Sequence, residues 1–76
     1  MESNNTAVIS TAIHRNILLG IVQNGTSKNA VARKACIPAT TFDRKLKHPE
    51  QFTLKDLGGI AQALEIELTE LIREAA

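Results

Sequence analysis

Tryptophan and tyrosine are missing from this chain, and the only aromatic carbon rings are those of Phe42 and Phe52. The core must therefore be aliphatic, built from Ile, Leu, Val and Ala. Cys36 is the single cysteine. One thiol excludes an internal disulfide and a cysteine-rich zinc site. No apolar run approaches the roughly 20 residues needed to span a bilayer. The polar opening, Met1 to Thr6, lacks the basic and apolar regions of a signal peptide. These absences predict a soluble, cytoplasmic protein.

The 76 residues amount to one domain, near the lower limit for folding alone, without room for a separate catalytic domain. An apolar content of 43% suits a globular helical protein better than a disordered tail. The net charge of +1 is uninformative, but its distribution is not. Residues 26–49 carry Lys28, Arg33, Lys34, Arg44, Lys45 and Lys47 against Asp43 alone, a net of +5. Residues 50–76 carry Lys55 and Arg73 against six acids, a net of −4. A basic middle beside an acidic end gives one face suited to a polyanion. The bland alternative is a solvated charged surface.

Strand patterns are weak, and breakers divide the chain into helical pieces. A first helix is expected from about Val8 to Gln23, after a flexible tail over residues 1–7. Ile9, Ile13, Ile17 and Ile21, with Leu18 and Val22 beside them, form its apolar stripe. Asn24-Gly25 ends it, since both residues tolerate a left-handed backbone. Ser27 is a natural N-cap for a short helix from Lys28 to about Ala35, with Val31, Ala32 and Ala35 inward. Pro38 biases Ile37 away from helix and opens the next one. That third helix runs to Leu46 or Lys47 with Phe42 and Leu46 inward, and His48 to Gln51 reads as a loop. Thr53 caps a fourth helix, with Asp56 in a capping-box position and Leu54, Leu57, Ile60, Ala61 and Leu64 as its stripe. Gly58-Gly59 costs roughly 1 kcal/mol per glycine relative to alanine, which close helix packing would explain. A last helix is expected from Leu68 to Glu74.

The informative stretch runs from Ser27 to Leu46: a capped helix, a short turn and a second helix. A large side chain at Ala32 would wedge the two helices apart. Ser27, Val31-Ala32, Cys36-Ile37-Pro38, Thr41-Phe42, Arg44 and Leu46 stand at offsets that resemble the Cro and lambda-repressor-like helix-turn-helix domains of phage and bacterial regulators. Their pattern reads Ser or Thr, then Leu-Ala, Gly-Val-Ser, Thr-Leu, Arg and Leu. The likeness continues through Ala63-Leu64-Glu65-Ile66 and Glu70-Leu71-Ile72, and covers about residues 9–73. Cys36 and Glu65 depart from it, each standing where the family often has glycine. A non-glycine residue at positive φ would cost on the order of 1 kcal/mol.

The resemblance implies an all-α, compact five-helix domain over residues 8–76, with its helix-turn-helix at about 27–47. It implies a sequence-specific regulator of transcription, a Cro-like repressor of phage or bacterial origin, bound to double-stranded operator DNA in a bacterial or host-cell cytoplasm. The recognition helix, about 39–47, would lie in the major groove. Its outward positions are Ala39, Thr40, Asp43, Arg44 and Lys47. Arg44 can donate two bonds to guanine O6 and N7, or instead meet a phosphate or pair with Asp43. Thr40 can offer a hydroxyl or a methyl, and Ala39 only apolar contact. Asp43 can accept from cytosine N4, hold Arg44, or remain solvated. Ser27, Lys28, Asn29, Thr41, Lys45, Lys47 and His48 are the candidate phosphate contacts, which carry affinity and salt dependence without sequence information.

His14, His48 and Cys36 have no ligand spacing among them, so no metal or cofactor is expected, and nothing suggests a nucleophile with its base. The expected protein is not an enzyme and takes no small-molecule substrate. Leu68, Leu71 and Ile72 can either close the core or supply a homodimer surface. The rival functional class is a protein-interaction module, an adaptor or antitoxin-like domain, which would not need the basic face around Lys28, Arg44, Lys45 and Lys47.

Overall fold

The structure is a computed structural model that describes residues 5–74. These residues form five α-helices and no strand: α1 (Thr6–Gln23), α2 (Lys28–Lys34), α3 (Ala39–Lys47), α4 (Leu54–Leu64) and α5 (Leu68–Leu71). A 3-10 turn, Pro49–Gln51, stands where a loop was expected. It exists because Pro49 is buried and the turn packs against α1. The all-α, five-helix expectation holds. The first helix opens at Thr6, so Thr6 and Ala7 are helical rather than part of a tail; residues 1–4 of that expected tail lie outside the described residues.

Starts and stops follow from local chemistry. The Ser27 hydroxyl accepts from the Ala30 N–H, and Thr53 and Asp56 exchange the two bonds of a capping box. Three helices close through the same pair of backbone bonds. Gly25, Cys36 and Glu65 sit at φ near 60°. Each donates its N–H three residues back, to Val22, Arg33 and Gln62, while the next residue donates five back, to Ile21, Ala32 and Ala61. This double closure satisfies carbonyls that the helix leaves without partners. Both positions where glycine was missed from the pattern are thus left-handed. Asn24 is not, with φ of −95°. Its side chain acts instead, donating to the Gly20 and Leu64 carbonyls at 2.9 and 3.1 Å.

Polar side chains within α1 likewise secure the ends of other helices. His14 Nδ1–H donates to the Leu46 carbonyl of α3 at 2.7 Å. Asn16 donates to the Leu71 and Arg73 carbonyls at 2.7 and 2.8 Å, and more distantly to Glu70. That bracket lies where α5 stops, at Leu71 rather than at the expected Glu74.

The core joins all five helices through Ile13, Ile17, Val31, Ala32, Ile37, Phe42, Leu46, Phe52, Leu57, Ile60, Ala61, Leu64 and Leu71. The Phe42 and Phe52 rings meet at 5.9 Å between centroids, tilted by 56°, within the range aromatic pairs prefer. α1 departs from its expected stripe. Ile13 and Ile17 are buried, but Ile9, Leu18 and Val22 are exposed and Ile21 is half-buried. Residues four apart advance about 40° beyond a full turn, so a row of isoleucines every fourth residue drifts off the core at both ends. Leu54 is also exposed, at the first position of α4.

α1 is rich in β-branched residues, which gain little from intrinsic helix propensity, so packing must hold it. Two glycines permit close approach. A Cβ at Gly20 would come to 2.9 Å of Leu64, and one at Gly59 to 3.2 Å of the Ala35 Cβ, whereas Gly58 faces open space. Close packing therefore explains Gly59 alone of the glycine pair in α4.

Candidate nucleic-acid interface

α2 and α3 are joined by a turn whose Ile37 is buried, and Ala32 is buried between elements as its small size requires. Phe42 and Leu46 anchor α3 from beneath. Anchoring that face turns Ala39, Thr40, Asp43, Arg44 and Lys47 outward, and all five are exposed. Thr41 is half-buried at the edge of this row. Lys28, Asn29, Ala39, Thr40 and Asp43 line one surface groove where α2 and α3 meet, with Phe42 as its floor. A second groove beside it is lined by Asn29, Arg33, Ile37 and Ala39.

The charged groups on this surface are partly engaged. Lys28 Nζ lies 3.3 Å from Asp43 Oδ1, with both side chains about half exposed. Asp43 is therefore paired across the groove with α2, not with its neighbour Arg44. Arg44 Nη1 donates to Gln51 Oε1 at 2.9 Å, which ties the guanidinium to the 3-10 turn. His48 Nδ1 stands 3.8 Å from Glu50. Ser27 is exposed, and its hydroxyl oxygen accepts within the helix cap, leaving the hydroxyl proton to donate outward.

Lys45 is placed apart from the other expected phosphate contacts. Its ammonium lies 2.9 Å from Asp56 in the capping box of α4, and both side chains are only 18% exposed. It ties α3 to α4. Burial, the largest single influence on Asp56, pushes its carboxyl upward, but the Thr53 N–H and hydroxyl and the Lys45 ammonium outweigh this and hold it below its ordinary value.

Two residues of the surface escaped the sequence reading. Arg33 stands one helical turn from Asn29 on α2, and that spacing was available in the sequence. Gln51 gave no such signal, because nothing local marks His48 to Gln51 as an ordered turn reaching back to α3.

Among the described residues no group of His, Cys, Asp and Glu could hold a metal ion, and no helix is long and apolar enough to cross a membrane. Leu71 is fully buried and Leu68 packs against the core, so these two residues close the domain, while Ile72 is exposed. The architecture is that of an all-α domain carrying an exposed, positively charged helix pair. No protein-family model, curated protein or solved structure matches the chain.

Proposed function

We propose that this chain is a sequence-specific double-stranded-DNA-binding regulator of transcription, a small Cro-like repressor of phage or bacterial origin. The observation that carries the reading is the row Ala39, Thr40, Asp43, Arg44 and Lys47, exposed on a helix whose other side is pinned by Phe42 and Leu46. A rigid helix with a polar outer face can enter a major groove, whose base edges present a distinct donor and acceptor pattern for every base pair.

In this reading Arg44 reads guanine. Gln51 accepts from Nη1, and a guanidinium with five N–H donors retains enough of them for O6 and N7. Thr40 contacts the adjacent base edge. Lys28, Asn29, Arg33 and Lys47 meet phosphates on either side. Lys28 leaves Asp43 to do so, an exchange of one exposed ion pair for another that costs about 1 kcal/mol or less. Asp43, released, accepts from cytosine N4.

Selection of bound duplexes from a random pool, followed by salt-dependent titration, tests this. The full chain should be retained at low salt and released as salt rises, with a slope of about −0.9 per phosphate contacted. Arg44→Ala should lose roughly 1–3 kcal/mol on the selected site and little on unrelated DNA. Lys28→Ala should weaken both alike and lower the salt slope by about 1. Failure of the wild-type chain to bind any duplex at low salt would sink the proposal and favour the protein-interaction module.

A further inference from the structure

We infer, building on the major-groove reading of α3 above, that the groove between α2 and α3 selects 5-methylcytosine in duplex DNA. Ala39 and Thr40 stand four and three residues before Asp43, the spacings that put helical side chains on one face. All three line one groove of about 300 Å³, with Phe42 beneath them and Lys28 and Asn29 on the facing wall. Phe42 is 1% exposed, so the floor belongs to the core and stays fixed. The groove thus sets an ionised carboxylate beside an apolar recess. Lys28 spans it, 3.3 Å from Asp43, with both side chains about half exposed. Asp43 makes no other hydrogen bond or ion pair among the described residues. Once Lys28 turns to a phosphate, the carboxylate must find its donor on a base or stay unpaired in a drying interface.

The pairing of carboxylate and recess identifies the base. An ionised carboxylate only accepts, so it needs an N–H that Watson–Crick pairing has not used. Guanine shows two acceptors in the major groove, O6 and N7, and is repelled. Thymine has a methyl for the recess, but O4 stands beside it and repels the carboxylate. Adenine offers a free N6–H with the N7 acceptor next to it and no methyl. N6-methyladenine carries a methyl, but its one remaining N–H is spent on the thymine partner. Unmodified cytosine satisfies Asp43 through N4–H and leaves the recess facing a bare ring hydrogen. 5-Methylcytosine supplies both groups, a free N4–H and a methyl on the adjoining ring carbon. A methyl is about as large as a water molecule, roughly 30 Å³, so it enters this groove without displacing a side chain. Taking it out of water against Ala39 and Thr40 tightens binding about four-fold.

Fluorescence-anisotropy titration of the full chain on the duplex selected from a random pool tests this. The pair that Asp43 reads is the one where Asp43→Asn erases the preference for cytosine over thymine, because an amide can accept from N4–H or donate to O4. At that pair cytosine, 5-methylcytosine and thymine are compared, each opposite its complement. The wild type should bind 5-methylcytosine about four-fold tighter than cytosine and thymine about ten-fold more weakly than cytosine. Asp43→Asn should keep the four-fold gain from the methyl. Thr40→Ser retains the hydroxyl but loses the side-chain methyl, so it should draw that ratio toward one and leave the affinity for unmodified cytosine unchanged. Both positions are exposed, so neither substitution reaches the core. Equal or weaker binding of the methylated duplex would overturn the inference and leave the DNA-binding reading standing. So would a selected site at which Asp43→Asn alters no base preference. Binding to no duplex at low salt would overturn both.

Discussion

Gly58 and Gly59 are neighbours in one helix, yet alanine at each should change stability in opposite directions. Both substitutions gain the same thing. Alanine in a helix interior is favoured over glycine by roughly 1 kcal/mol, chiefly because the unfolded chain loses freedom. At Gly58 nothing opposes that gain, since an added Cβ meets no atom within 4 Å. At Gly59 the Cβ would stand 3.2 Å from the Ala35 Cβ, 3.3 Å from its Cα and 3.4 Å from its carbonyl oxygen. Two of those atoms are backbone and cannot rotate aside, so α2 and α4 must part by a few tenths of an ångström. Overpacking of this kind costs about 1–3 kcal/mol, enough to reverse the sign.

Gly58→Ala should therefore stabilise by about 1 kcal/mol and Gly59→Ala destabilise by about the same. In a domain of this size 1 kcal/mol moves the thermal midpoint by about 4–8 °C, so the two variants should melt roughly 10 °C apart. Far-UV circular dichroism during heating, checked by urea titration, measures the gap. Replacing Ala35 by glycine should cost the wild type stability but cost the Gly59→Ala protein much less, a coupling visible in a double-mutant cycle. Equal stabilisation by both alanines would refute the reasoning, because it would mean that α2 is not held at a fixed distance from α4.

Asp56→Asn keeps a capping oxygen for Thr53 but removes the charge facing Lys45, so it should cost about 1 kcal/mol at neutral pH. A carboxyl held below its ordinary value of 3.8 contributes stability above that pH and loses it as pH falls through the lower folded value, so the wild type should weaken faster than the variant on acidification below about pH 4. Cys36→Gly should raise stability by about 0.5–1 kcal/mol, since it relieves a side chain at φ of 61°; a lower melting point would mean that the thiol makes a compensating contact. If Arg44 reads a base as proposed, Gln51→Ala should relax base preference at that position and add nothing in an Arg44→Ala background, whereas additive losses would show that Gln51 does not act through Arg44.

The parts of the fold that were legible in the sequence are those decided locally. Ser27, Thr53 and Pro38 set the starts of α2, α4 and α3 because each acts on backbone within three residues, and Phe42, Leu46, Leu57 and Ile60 are inward because short helices barely drift. What was not legible was decided at a distance. The end of α5 is bracketed by Asn16, more than fifty residues away in sequence. The order in Pro49–Gln51 comes from packing on α1. Leu18 and Val22 read as core only so long as α1 is assumed to have one apolar face. The same limit applies to the surface. Its outward row on α3 follows from which two residues face in, but the partners of Lys28, Arg44 and Lys45 come from other elements.

Those partners change what the charge count means. A net of +5 over residues 26–49 suggests six equivalent cations, and the structure divides them. Lys28 and Asp43 are 52% and 53% exposed, a pair already screened by water and readily traded for a phosphate. Lys45 and Asp56 are 18% exposed, and opening that pair would strand a partly desolvated carboxylate at the cap of α4. Arg33, Lys34 and Lys47 form no ion pair among the described residues. The two lysines should consequently separate cleanly on substitution. Lys28→Ala should lower the salt slope of DNA binding with little change in melting point. Lys45→Ala should lower the melting point by several degrees and leave the slope intact. A changed slope for Lys45→Ala in protein that is still folded would mean that its ammonium leaves Asp56 for the nucleic acid, and that burial does not decide which cations of this domain are available to a polyanion.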